Sequence, residues 1–120
     1  MDDEIAWRVE LVVKPDQAAN FLALTDEMVK SAGAEDGCLS YQRFISPDGY
    51  SVHLYERYLN SDVARAHLAI FFQHFSGRFA SMVDRKRFTV YGIPSSQLRQ
   101  MLDLFNPEYL RPFGNLEYWA

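Results

Sequence analysis

Hydrophobic and polar positions alternate first with a period of two. "EIAWRVELVV" (4–13) is rich in β-branched and aromatic residues and predicts a strand. Trp7, Val9, Leu11 and Val13 fall on one face, and Ala6, Arg8, Glu10 and Val12 on the other. The period then changes. Ala18, Phe21, Leu22, Thr25, Met28, Val29 and Ala32 keep helical spacing, with Pro15 and Asp16 suited to the first turn and Gly33 to the stop. "GCLSYQRFISPDGYSVHLYERYL" (37–59) predicts a hairpin. Its turn, "SPDGY", offers a fixed φ, a side chain that caps its own backbone, and a glycine free to take positive φ.

A second helical period follows. Asn60 or Ser61 serves as its cap, and Val63, His67, Phe71, Phe75 and Phe79 form a ridge with Ile70 and Met82 beside it. Gly77 is a candidate break. "KRFTVYGI" (86–93) predicts a last strand ended by Pro94, and "SSQLRQMLDLF" a short third helix. The tail "NPEYLRPFGNLEYWA" reads as an aromatic arm.

The order β-α-β-β-α-β is the ferredoxin-like split arrangement, an α+β fold with four antiparallel strands and two helices on one face. Residues 1–94 would form that domain, and 95–120 a C-terminal extension of it. In the hairpin, Leu39, Tyr41, Arg43 and Ile45 share one face. On the returning strand Val52, Leu54, Glu56 and Tyr58 share a face, opposite His53, Tyr55 and Arg57. Bulky residues on both faces predict a homodimer packed through the open sheet face. The anchors in "EYLRPF" and "LEYW" would embrace the partner.

Composition narrows the classes. The chain has 120 residues, 48% hydrophobic and 15% aromatic, which suits one packed domain. A net charge of -4, with "DRKRF" (84–88) as the densest basic run, argues against nucleic-acid binding. The one cysteine, Cys38, admits no internal disulfide or zinc spacing and reads as a small apolar residue at a strand start. The acidic N-terminus is unlike a signal or transit peptide, and no apolar run approaches the roughly 18 residues of a membrane span. A soluble, cytoplasmic protein with no membrane partner is expected. His53 and His74 read as surface or interface residues, and the histidine spacing suggests no metal site.

"EDGCLSYQRFISPDGYSVHLYERYLNSDVARAHL" resembles the antibiotic biosynthesis monooxygenase domain. The resemblance rests on the acidic-Gly-Cys turn (Glu35 to Cys38), on Glu56 and Tyr58 closing a strand, on Ser61, and on Ala66-His67-Leu68; it spans about residues 5–93. It implies a dimeric α+β barrel. It also implies, for several members, oxidation of quinol-like or anthrone-like substrates by molecular oxygen with no metal, flavin or other cofactor. Two positions depart from the pattern. Tyr58 stands where tryptophan is usual, and Val9 where the haem-degrading branch has asparagine, which argues against haem breakdown.

Such chemistry needs a base, a donor for the developing anion and a dry apolar pocket. His67 would be the base, because histidine titrates nearest neutral pH. Glu56 would orient His67 or hold a substrate hydroxyl, and Tyr58 would donate to an oxyanion. Trp7, Val9, Met28, Phe71, Phe72 and Phe75 would line a slot for a quinol-like or polyketide-like aromatic small molecule. Plainer readings stand beside these. His67 suits a core histidine bonded to a strand side chain, Glu56 suits a partner of His67 or of an arginine, and the phenylalanine ridge suits core. Rival functions are an isomerase or lyase acting on a small enolisable carbonyl through the same residues, and a non-catalytic binding or stress-response dimer.

Overall fold

The computed structural model describes residues 3–114 and residue 116. Strand β1 (Ile5–Val13) is central, and its burial alternates as the period-two pattern requires. Helix α1 (Ala18–Gly33) begins after the turn that holds Pro15 and Asp16, with Gln17 at its cap; those two residues precede the helix instead of opening it. Strands β2 (Cys38–Ile45) and β3 (Ser51–Tyr58) form the hairpin. Its turn works as its chemistry dictates: Asp48 accepts from the Tyr50 amide at 3.0 Å, and Gly49 takes φ +84°.

Helix α2 (Ser61–His74) is capped by Asn60, whose side chain accepts from the Val63 amide at 2.9 Å. The break before helix α3 (Ser76–Met82) falls at Phe75, two residues ahead of Gly77. Strand β4 (Val83–Tyr91) starts and ends earlier than the 86–93 window. Helix α4 (Ser96–Leu102), a 3-10 turn (Asp103–Phe105) and a short strand β5 (Glu108–Leu110) complete the described chain.

The sheet order is β2-β3-β1-β4-β5. The first four strands pair antiparallel, and β5 adds a fifth strand parallel to β4. The sheet is therefore mixed and five-stranded, not the purely antiparallel four. Three residues of the expected arm, "EYL", dock on this chain's own sheet edge. Tyr118 and Trp119 lie outside the described residues.

Trp7, Val9, Leu11, Val52, Leu54 and Val90 face the helices and form the core with Phe21, Leu68, Leu98 and Leu102. At about 25 cal/mol per Å² of apolar surface, each such side chain contributes roughly 1.5–3 kcal/mol.

Two bulges interrupt the alternation. One lies between Cys38 and Ser40, so Leu39 leaves the inner face and is exposed while Cys38 turns inward beside Tyr58. The other lies in β4. Glu10 opposes Arg87 and Leu11 opposes Arg85, so Lys86 is the extra residue and Arg85 joins the inner face. The outer face carries Arg8–Glu10, His53–Glu10 and Arg57–Glu4 ion pairs beside an exposed Phe44.

Candidate active site

β3 delivers Glu56 to the inner face, where it is only 4% exposed. A buried carboxylate must be hydrogen-bonded and charge-compensated. Oε1 accepts from Trp7 Nε1 at 2.9 Å and from the Tyr58 hydroxyl at 2.7 Å, and lies 3.3 Å from His67 Nε2. Oε2 lies 3.0 Å from Arg43 Nη2. Each partner is placed by strand register or helix periodicity. Trp7 pairs directly with Glu56 across β1 and β3, and Tyr58 follows at i+2. Tyr41 opposes Glu56 across β2 and β3, and Arg43 lies over its ring, 3.4 Å from the centroid.

His67 comes from the first half of α2 and is 7% exposed. Its Nδ1 meets both oxygens of Glu35, at 3.0 and 3.1 Å. Glu35 sits in the turn between α1 and β2. That turn closes because Gly37 adopts φ +85°, and a Cβ there would come within 2.8 Å of Val63 Cγ2. The glycine thus lets the Glu35 turn pack under α2.

These contacts set the protonation states. Burial favours neutral forms, but the Glu35 and Glu56 carboxylates outweigh it at His67 and push the imidazole up to about 9. Burial works the same way on Glu56, and there Arg43, His67 and Tyr58 prevail and hold the carboxyl down at about 2. Burial and the adjacent Glu56 charge push the Tyr58 and Tyr41 phenols up, so both stay protonated. At neutral pH the cluster holds an imidazolium, a guanidinium and two carboxylates. At neutral pH His67 therefore carries its proton.

Beside this cluster lies a small cavity of about 60 Å³. Glu56, His67, Trp7 and Tyr41 form its polar end. Val9, Met28, Leu54, Leu68, Phe71, Phe79, Phe88 and Phe105 form its apolar walls, and Arg85 contributes its one further charge. Of the sequence-predicted residues, His67, Glu56, Trp7, Val9, Met28 and Phe71 meet there. Three do not reach the cavity. Tyr58 is fully buried behind Glu56 and spends its hydroxyl on that carboxylate. Phe72 points away and stacks on Phe105 with ring centroids 5.5 Å apart. Phe75 caps α3 where the helix breaks, with Arg78 beside its ring.

Sequence reasoning missed Glu35, Arg43, Tyr41, Arg85, Phe88 and Phe105 as site residues. Face parity already put Tyr41 and Arg43 on one side of β2, so pairing the hairpin register with Glu56 would have found them. Arg85 depends on a bulge that no local signal marks. Among the described residues, no cluster of three or more His, Cys, Asp or Glu side chains is arranged to hold a metal ion. No helix among them is long and apolar enough to cross a membrane.

Fold and site define a small ferredoxin-like α+β domain with an ion-paired histidine at the end of an apolar cavity. The chain belongs to the antibiotic biosynthesis monooxygenase family, whose model matches residues 5–70. Rv0793 of Mycobacterium tuberculosis, which carries a provisional monooxygenase designation, is 38% identical over 58 residues. That alignment takes in 48% of this chain and spans 57% of the relative's length. The solved structure of Rv0793 superposes with a TM-score of 0.66 at 26% identity, covering 78% of this chain and 97% of that one. MupZ from Pseudomonas fluorescens superposes with a TM-score of 0.87, covering 98% of this chain and 91% of its own. SnoaB from Streptomyces nogalater, a cofactor-independent oxygenase, gives 0.64 over 78% and 96%. At 19% and 14% identity, these last two likenesses are of fold.

Proposed function

We propose that the protein is a cofactor-independent monooxygenase acting on a quinol-like or anthrone-like aromatic small molecule that binds as its anion. The observation that carries this reading is the unequal hold on the two nitrogens of His67. Nδ1 is held by both Glu35 oxygens, whereas Nε2 has only the 3.3 Å contact to Glu56, the longest that this carboxylate makes. Glu56 keeps Trp7, Tyr58 and Arg43 if Nε2 turns to a ligand. Nε2 is thus the proton that the cluster can lend at the cavity's polar end, inside a largely apolar enclosure where such a donor acts strongly.

For an anthrone-type substrate the chemistry balances without another reductant. The carbanion adds to oxygen, its electrons forming the C–O bond, and gives a peroxide anion. His67 Nε2 protonates that anion. Neutral His67 then takes the remaining C–H proton as the O–O bond breaks, leaving a ketone and hydroxide. Hydroxide combines with the proton lost when the substrate ionised. One oxygen atom enters the product and the other leaves as water.

Oxygen uptake with a panel of quinols and anthrones, wild type beside His67→Ala, tests the reading. Enzymatic uptake that collapses in the variant supports it. Equal rates in both proteins remove His67 from the mechanism, and no rate above the spontaneous one removes the oxygenase.

The cavity's size favours a second reading. About 60 Å³ is small beside the several hundred Å³ of common ligand pockets. An isomerase or lyase acting on a small enolisable carbonyl would use the same His67 and Glu56. It would exchange substrate C–H for deuterium in D2O without consuming oxygen.

The proposal includes a homodimer through the outer sheet face, where Phe44 is half exposed among the ion pairs of β1 and β3. Sedimentation equilibrium of wild type beside Phe44→Glu would report a weakened dimer; an unchanged mass in both would remove that face from the assembly.

A further inference from the structure

Phe105 stands outside the segment matched by the family model, yet it forms a wall of the cavity. Its ring sits in a column of three. Phe72 lies nearly parallel on one side, at 5.5 Å and 3°, and Phe88 on the other, at 5.4 Å and 24°. Offset stacking of this kind adds to what area burial alone contributes.

The ring's mounting differs from that of the strand-borne walls. Trp7, Val9, Leu54 and Phe88 are fixed by central strands. Phe105 is carried on a three-residue 3-10 turn with no buried residue of its own, and its neighbour Leu104 is 75% exposed. The turn is anchored at its two ends. Before it, α4 inserts Leu98 and Leu102 fully into the core, and Ser95 caps that helix through the Leu98 amide at 3.1 Å. After it, Asn106 reverses the chain at φ +51°, and β5 zips onto β4. The Tyr109 hydroxyl donates to Asp103 at 2.6 Å and ties the two ends together.

A cavity of about 60 Å³ is smaller than an aromatic substrate requires, so some wall must yield. A wall carried on a three-residue turn with no buried residue, suspended between two secured ends, yields at lower cost than one fixed on a central strand. We propose that Phe105 is the specificity-determining residue of this pocket: its ring, clamped between Phe72 and Phe88, limits how many fused rings a substrate can present to the His67–Glu56 end. This inference rests on the aromatic-substrate reading above. It assigns to the C-terminal segment a part in choosing among substrates of one chemical class.

The test measures binding without turnover. Calorimetric titration under anaerobic conditions would use benzene-1,4-diol, naphthalene-1,4-diol and anthracene-9,10-diol, with one, two and three fused rings. Wild type, Phe105→Ala, Phe105→Leu and Phe72→Ala would be compared. The expected result is that Phe105→Ala improves three-ring binding relative to one-ring binding at least tenfold. Phe105→Leu should shift the same ratio in the same direction by less, and Phe72→Ala, which frees one side of the clamp, should also shift it. Phe105→Leu keeps an apolar side chain on the turn and carries the test if the alanine variant does not fold. An unchanged ratio in the folded Phe105 variants overturns the proposal, as does failure of all three diols to bind any variant. Because oxygen is excluded, a selective gate in a protein that consumes no oxygen would sink the oxygenase reading and leave the gate intact.

Discussion

Raising the pH from 6 to 10 should remove a defined part of the protein's stability through His67. The folded-state value of about 9 stands above the ordinary 6.5 because Glu35 and Glu56 hold the imidazolium more tightly than burial disfavours it. A group raised on folding contributes stability that is fully present below its unfolded value. Here that means below about 6.5, and the contribution is lost as pH rises through about 9. At about 1.4 kcal/mol per pH unit, the interval from 6.5 to about 9 corresponds to roughly 3 kcal/mol. Against a total stability of about 5–15 kcal/mol, that is a large share.

The assay is urea unfolding at half-unit pH steps, wild type beside His67→Gln. The difference between the two free energies isolates the histidine, since other groups titrating in the window are common to both. That difference should fall by about 3 kcal/mol between pH 6.5 and 10, and any remainder at pH 10 reports packing alone. Glu35→Gln should bring the midpoint of the fall to lower pH, by replacing the carboxylate at Nδ1 with a neutral amide. A difference that stays flat from pH 6 to 10 would refute the argument, because it would mean that His67 is neutral in the folded protein and that its neighbours do not hold a proton on it.

Two further outcomes follow from the same cluster. Arg43→Met should destabilise by about 3–5 kcal/mol at pH 7, because it leaves Glu56 buried without its guanidinium. A carboxyl held low gives stability that is present above about 4.5 and lost as pH falls through about 2; in the variant this acid loss should begin at higher pH, as read by fluorescence on acid titration. Gly37→Ala should cost about 1–3 kcal/mol in urea unfolding, from positive φ and the approach to Val63, with Val63→Ala in the same chain recovering part of it. Full stability of Gly37→Ala would show that the turn has another way to close.

The strands and the hairpin turn are legible in the sequence because period-two alternation and Pro-Asp-Gly chemistry are local. The inward face of Trp7, Val9, Glu56 and Tyr58 follows from parity alone, and so does the meeting of His67 with that face. What escaped was non-local. Glu35 lies 32 residues from His67, and nothing near either one marks the pair. β5 is three residues long, too short for a period to register, and it exists because β4 offers an unpaired edge. Tyr58 stands where the family signature usually has tryptophan, and its hydroxyl holds Glu56, which only the hydrogen bond reveals. Phe75 lost its place in the helical ridge because α2 ends there.

The extra residue in β4 gives the strand something like a shifted reading frame. From Phe88 onward the inner face follows one parity, and before Lys86 it follows the other. Deleting Lys86 would leave every other residue opposite its present partner on β1, whereas drawing Lys86 into the ladder would send Val83 and Arg85 outward and bring Asp84 toward the core. The cavity would then lose Arg85 and meet an anion on a wall where the fold has made no provision for one. The inward aim of Val83 and Arg85 thus depends on Lys86 staying out of the ladder, a constraint on pairing that no single letter of the strand displays.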